Sequence, residues 1–210
     1  MKLLKQRLFF LTQSLLKPRQ TGAISPSSSY LASAMAQEIY LKSDANSIME
    51  LGGGTGSLTK GLLAYGINPE KLIIVEKNPL MVRELRKKFP TCHIKEADAQ
   101  NLTSLVIQQD SDKTSLRTNP SHQNGFNSFI DSIISGLPLR SLPQTISEKI
   151  LIAAFSLLPP QGRFIQFTYG LRSPVPEALL TTHRMRVLKK NLILKNFPPA
   201  TIWVYEKLSP

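Results

Sequence analysis

The residues best suited to chemistry are three acids, each standing where an apolar run of the sequence ends. Glu50 opens ELGGGTG, Glu50 to Gly56, which begins at the end of the strand-like run Ser47–Leu51 and stands directly before a helix-forming stretch. Glu76 closes LIIVE, 20 residues after Gly56, and Asp98 lies in EADAQ after a third strand-like run. Gly52, Gly54 and Gly56 permit a tight turn and let the backbone approach a ligand with no Cβ in the way. A strand, a glycine-rich turn and a helix in that order build the ligand crevice of an open sheet, beyond the carboxyl ends of its strands. Taken singly the signals are modest: the alternative for Glu76, in the turn-like VEKNP, is a surface acid, though its position favours the ribose role, and Asp98 alone reads more often as a helix N-cap. Three acids at three successive strand ends form a constellation. Glu76 is placed to accept two ribose hydroxyls. Asp98 is placed to accept an adenine amino group, with the Ala99 amide on a ring nitrogen.

The first acid decides between two nucleoside ligands. A dinucleotide brings a pyrophosphate, which a helix N-terminus holds. S-adenosylmethionine brings a sulfonium cation and an amino acid tail. A carboxylate at Glu50, aimed into the crevice, suits the cation, so S-adenosylmethionine is the expected cofactor. The constellation resembles that of the class I methyltransferases over about residues 47–170: ELGGGTG resembles their first motif, Glu76 their ribose acid and Asp98 their adenine-side acid.

These side chains need a scaffold, and the sequence supplies an alternation of periods. Strands are expected at Ser47–Leu51, Lys71–Glu76, Thr91–Lys95, Phe129–Ile134 and Arg163–Tyr169, with helices at Ser57–Tyr65, from Asn78 and Pro79 to Phe89, and at Thr145–Leu157. A helix at Tyr30–Tyr40 precedes them, and a short one is expected at Asn101–Gln108. Met185–Leu194 and Ala200–Lys207 are expected to pair as a hairpin across Phe197-Pro198-Pro199. The expected fold is α/β and Rossmann-like: a mostly parallel seven-stranded sheet, helices on both faces, and a C-terminal antiparallel hairpin.

On the substrate side, the fourth strand runs into SGLPL, Ser135 to Leu139. Adenine N6-methyltransferases typically carry a loop like Asn-Leu-Pro-Tyr here, whose aromatic stacks on the base. Leu139 has no π face, which counts against a flipped base. SGLPLRSLP, QFTYGLRSPVP, NFPPATIWVY and TGAISPSS resemble the bacterial phospholipid N-methyltransferase family, across nearly the whole chain except residues 108–125. The resemblance implies stepwise methylation of phosphatidylethanolamine to phosphatidylcholine. Leu137 and Pro138 are then read as cofactor-side contacts. Ser135, Tyr30 and Tyr169 become the catalytic candidates, the tyrosines through cation–π contact with methylated ammonium intermediates. Each tyrosine reads equally as a packing residue. Arg172, after the fifth strand, is the candidate for the lipid phosphate. Lys189, Lys190 and Lys195, with Arg184 and Arg186, form a second basic region that either holds phosphate or faces solvent. No general base stands out: His93, His122 and His183 are poorly placed, and Asp131 reads as structural.

The charge is +12, with 26 Lys and Arg against 14 Asp and Glu, which favours a polyanionic partner. Residues 2–17 read as a basic amphipathic helix with Leu4, Leu8, Leu11 and Leu15 on one stripe. Lys2, Lys5, Arg7, Lys17 and Arg19 complete a segment, 1–20, expected to lie on an anionic membrane surface. The alternative is that its apolar face packs on the domain. Residues 21–210 are expected to form the methyltransferase domain, with 108–125 a polar insertion. A single cysteine, Cys92, fits a reducing compartment, and the N-terminus reads poorly as a secretory signal. The expected place is cytoplasmic, at the inner face of the membrane, with no metal and no protein partner implied. Two rivals stay open: an rRNA or DNA adenine N6-methyltransferase, supported by the charge, and a non-enzymatic membrane-binding protein with a degenerate cofactor fold.

Overall fold

The computed structural model describes residues 29–42, 46–103, 130–194, 196 and 198–209. The expected helix at 2–17 with its membrane-binding residues, the insertion at 108–125, His122, Lys195 and Phe197 lie outside the described residues.

The central elements follow from short runs dominated by apolar residues. Parallel strands covered on both faces lose the alternation of a half-exposed strand and read as continuous hydrophobic segments. β1 (Ser47–Leu51) and β4 (Ile130–Ser135) are buried at every residue, and β2 (Leu72–Glu76) at all but its last. With β3 (His93–Glu96), β5 (Arg163–Thr168), β6 (Met185–Ile193) and β7 (Ala200–Lys207) they form a seven-stranded sheet in the order β3-β2-β1-β4-β5-β7-β6. The first five are parallel, while β7 runs antiparallel to β5 and β6. The seven expected strands are therefore present, with the antiparallel hairpin at one edge.

Helices cover both faces. On one face α1 (Ser29–Ala36) and α2 (Ser57–Ala64) set Leu31, Met35, Leu58 and Leu62 on Ile48, Ile74, Ile134 and Ile165, and α3 (Pro79–Lys88) adds Leu85. On the other, α4 (Gln144–Leu157) sets Ile150, Leu151, Ala154 and Phe155 on Met49, Ile133 and Phe164. The cap of α3 explains its start: the Asn78 side chain accepts from the Leu80 amide at 2.9 Å, and Pro79 needs no donor there. Arg86, Lys87 and Lys88 in its last turn suit the negative end of the helix dipole.

Two expectations need correction. The helix at Tyr30–Tyr40 stops at Ala36. Beyond it the chain is recruited by β4: the Tyr40 amide donates to Ser132 Oγ at 2.9 Å, and the Lys42 amide donates to the Asp131 carboxylate. Asp131 also accepts from Asn46 Nδ2 at 2.7 Å, the structural part expected of it. A short helix, α5 (Glu177–Thr182), was not expected; it follows Pro176 and is too brief to carry a period. Among the described residues, no helix is long and apolar enough to cross a membrane.

Candidate functional site

Strand order reverses between β1 and β4, because the chain builds β2 and β3 on one side of β1 and then returns to place β4 on the other. A crevice opens at such a switch point, beyond the carboxyl ends of the strands. The glycine turn after β1 and the loop after β4 meet there: the Gly136 amide donates to the Leu51 carbonyl at 2.9 Å.

Three glycines of the turn have positive φ, +78° at Gly52, +50° at Gly54 and +84° at Gly56. Their surroundings separate their roles. A Cβ on Gly52 would lie 2.5 Å from Leu137 Cδ2, and one on Gly56 would lie 2.4 Å from Phe89 Cε2. These two let the turn pack on its neighbours. Gly54 differs: within 4 Å its Cβ position meets just one atom, the Gly52 carbonyl oxygen at 3.9 Å. The open side of the turn is at Gly54, where a ligand can lie against bare backbone.

Glu76 stands beside that opening. Its Oε2 accepts from the Gly54 amide at 2.9 Å and its Oε1 from the Asn78 amide at 2.8 Å. Each oxygen retains a lone pair, enough for one hydroxyl donor apiece. The Ala97 amide donates to the Glu76 carbonyl at 3.0 Å, which brings the segment carrying Asp98 alongside. Asp98 caps the turn Ala99–Asn101, with Oδ1 accepting from the Gln100 amide at 2.9 Å and both oxygens near Gln100 Nε2. Ala99 is buried in the core cluster.

Glu50 does not point into the crevice as expected. It is fully buried and turned onto α2, where its Oε2 accepts from Thr59 Oγ1 at 2.7 Å. Burial pushes its carboxyl up to about 8, against a smaller lowering by the Thr59 hydrogen bonds. Its Oε1 has no hydrogen-bond partner. A carboxylate buried at the root of the glycine turn and short of donors is stabilised by a cation lodged nearby. Acids at Glu50, Glu76 and Asp98 around a turn open at Gly54 fit a cationic nucleoside.

Ser135, expected among the catalytic residues, is fully buried, and its hydroxyl accepts from the Leu137 amide at 3.3 Å. Its place is support of the loop, because a side chain with no exposure meets no substrate from solvent. Leu137 is half-buried against Gly52, Pro138 is exposed, and Leu139 is buried in the core. The residue that sequence reasoning missed is Gln166. It pairs with Ser135 across β4 and β5, is 1% exposed, and donates from Nε2 to the Leu137 carbonyl at 3.1 Å. Its Oε1 has no partner. The signal was present in RFIQFT: one amide interrupting a buried apolar strand at its carboxyl half.

The two tyrosines occupy different settings. Tyr169 is half-buried, meets Phe167 edge-on at 5.5 Å and bonds the Asn196 side chain; burial pushes its hydroxyl up to about 12. Tyr30 opens α1 and is exposed. Arg172 is exposed, and its carbonyl accepts from Arg140 Nη1 at 3.1 Å, which joins the loops after β4 and β5. His93 begins β3, at the opposite end of the sheet from the crevice, and His183 lies against Phe155. Lys189 bonds Glu38 and Arg186 bonds Glu206, so these cations of the second basic region are paired within the fold.

No family model matches the chain. It is similar to an ornithine lipid N-methyltransferase from Singulisphaera acidiphila, 27% identical over 151 residues, covering 70% of this chain and 69% of that protein. Among solved structures, TrmN from Thermus thermophilus overlays with a TM-score of 0.58 at 18% identity, over 94% of this chain but 53% of TrmN, about half its length. The N-methyltransferase NodS from Bradyrhizobium japonicum, solved with S-adenosyl-L-homocysteine, overlays with a TM-score of 0.54 at 11% identity, covering 86% of this chain and 88% of NodS. The chain has the Rossmann-like class I methyltransferase fold, and over two thirds of its length it is similar to a lipid N-methyltransferase.

Proposed function

We propose that this protein is an S-adenosylmethionine-dependent lipid N-methyltransferase, and that its substrates are phosphatidylethanolamine and its methylated forms, giving phosphatidylcholine. The observation that carries the cofactor is the turn open at Gly54 with the Glu76 carboxylate bonded to its amide. Glu76 would hold the ribose, Asp98 and Ala99 the adenine side, and Glu50, once ionised, would favour the cationic end through its field. When bound, the cofactor supplies an electrophilic methyl group. The chain's own work is positioning and exclusion of water, which serve an in-line displacement by a neutral amine. The loop Ser135–Leu139, braced by Gln166 through its bond to the Leu137 carbonyl, borders the amine's approach. Tyr169 and Tyr30 remain the aromatic candidates for the bulkier methylated intermediates, and Arg172 the phosphate candidate.

Leu139 supports a lipid over a nucleobase. It is an apolar residue buried in the core, so the position that would stack a flipped base offers no surface. The similarity to an ornithine lipid N-methyltransferase favours a second substrate reading, an ornithine-bearing lipid amine. Membrane attachment is peripheral in this reading, through residues 1–20 at the inner face of the cytoplasmic membrane. Five cations there contribute on the order of 5 kcal/mol on an anionic surface.

The test uses radiolabelled S-adenosylmethionine, the full chain, and liposomes of phosphatidylcholine with phosphatidylethanolamine, with ornithine lipid, or with neither; RNA is a separate arm. Label in the phosphatidylethanolamine product supports the first reading. Label in ornithine lipid alone moves the substrate to the second. Label in RNA alone refutes both. Deleting residues 1–17 should weaken sedimentation with anionic liposomes; unchanged sedimentation would make that segment structural.

A further inference from the structure

We propose that the corner of the sheet where β5, β7 and β6 reach the crevice is a membrane-docking rim, built to rest on an anionic bilayer. The inference rests on the lipid-substrate reading and says how the crevice meets its lipid. The strand register places the rim. Thr168, which ends β5, pairs with Thr201 of β7, and Thr201 pairs with Leu192 of β6. One row of residues therefore runs from the carboxyl end of the parallel strands to the sheet edge. Beyond it lie Leu194, which follows β6, and Leu171, which follows β5. These leucines are exposed: Leu194 is 72%, Leu171 64% and Leu192 46% accessible.

Cations accompany them. Lys190 Nζ donates to the Leu171 carbonyl at 2.9 Å and lies 4.7 Å from the centre of the Trp203 ring, which fastens the loop after β5 to β6. Arg140 is tied to the Arg172 carbonyl, as described above, so its guanidinium group lies beside the loop after β5 that carries Leu171. The sequence around the rim is depleted in acids. From Leu188 to Tyr205, the stretch that carries Leu192 and Leu194, there are three lysines and no acid. Exposed leucines interleaved with cations, at the end of the sheet where the crevice opens, match a surface of headgroup anions over acyl chains. A protein partner with an acidic face would meet the charges, yet it would leave no reason for leucines this exposed to cluster at the carboxyl end of the sheet.

The test places a tryptophan in the rim of the full chain, Leu194→Trp, and another at the far end of β6, Val187→Trp. Val187 is similarly solvent-facing at 44% exposure and pairs with Tyr205, away from the crevice. Vesicles contain phosphatidylcholine and phosphatidylglycerol, with plain or brominated acyl chains. The buried Trp203 is common to both variants and subtracts out. The rim predicts that L194W emission shifts to the blue and falls about twofold with brominated chains, because an interfacial side chain reaches roughly 5–10 Å into the acyl boundary. V187W emission should be unaffected. Equal quenching of the two, no quenching of L194W in sedimented protein, or failure of the protein to sediment would each overturn the rim. The readout needs no methyl transfer. A protein that docks this way but labels no lipid would refute the substrate reading and leave the rim standing.

Discussion

Glu76 and Gly54 are joined by a hydrogen bond: the carboxylate Oε2 accepts the glycine amide at 2.9 Å. The acid at the end of β2 and the open point of the turn after β1 are thus one unit, held by strands paired in register from Ile48 with Leu72 to Leu51 with Val75. Removing the carboxylate has two consequences, loss of the proposed ribose acceptor and release of the turn. Hydrogen bonds to a charged group contribute about 1.5–3 kcal/mol each, so Glu76→Ala should weaken S-adenosylhomocysteine binding by about tenfold to a hundredfold. Calorimetry measures this; unaltered affinity removes Glu76 from the site.

The glycines separate stability from ligand approach. Gly54→Ala adds a methyl group into open space at φ +50°, so the strain is about 1–2 kcal/mol while the cofactor's path is obstructed. Gly61→Ala sets a Cβ 2.1 Å from that of Ala32, where α2 crosses α1, far from the turn. Overpacking of that kind costs about 1–3 kcal/mol. Thermal unfolding with calorimetry should find Gly54→Ala deficient mainly in cofactor affinity and Gly61→Ala deficient in Tm. The reverse pattern would contradict these assignments.

Glu50 gives the site a pH dependence. The folded protein holds its proton up to about pH 8, whereas the ordinary carboxyl value is 4.5. The folded state therefore binds more protons across that window, and stability declines as pH rises through it. Glu50→Gln cannot ionise and escapes the decline. Its Tm relative to wild type should rise steadily from about pH 5 to about pH 8, and a difference independent of pH would refute the assignment. A cation lodged nearby favours the ionised acid, so affinity for S-adenosylmethionine should increase over this range more than affinity for its uncharged-sulfur product.

Gln166 braces the loop after β4, the proposed substrate side of the crevice. Gln166→Leu keeps the volume and removes the bond to the Leu137 carbonyl. Cofactor affinity should stay within about twofold, while kcat falls about tenfold or more, as expected when a misplaced loop loses its alignment. Loss of cofactor affinity in equal measure would mean that Gln166 serves the cofactor side instead.

The parallel core was legible because SIMEL, LIIVE and IDSIIS can satisfy burial on both faces in few other ways. The turn was legible because positive φ at Gly52, Gly54 and Gly56 leaves a local mark in the sequence. What escaped was decided by side-chain contacts that no local pattern announces. Glu50 looked like a crevice acid until Thr59, on the helix nine residues later, claimed its Oε2. Ser135 looked available until the loop beyond it folded back onto its hydroxyl. Nothing near Ala36 announces the end of α1; the bonds that end it come from Ser132 and Asp131, some ninety residues away. Gln166 stood in plain view, yet its bearing depends on Leu137, 29 residues earlier.

The most direct measurement is calorimetric titration of the well-folded full chain with S-adenosylmethionine and S-adenosylhomocysteine, with and without anionic vesicles. Saturable one-to-one binding, weakened in Glu76→Ala and Gly54→Ala, is the predicted result. Absence of heat and of any thermal stabilisation with either nucleoside, in both conditions, would contradict it.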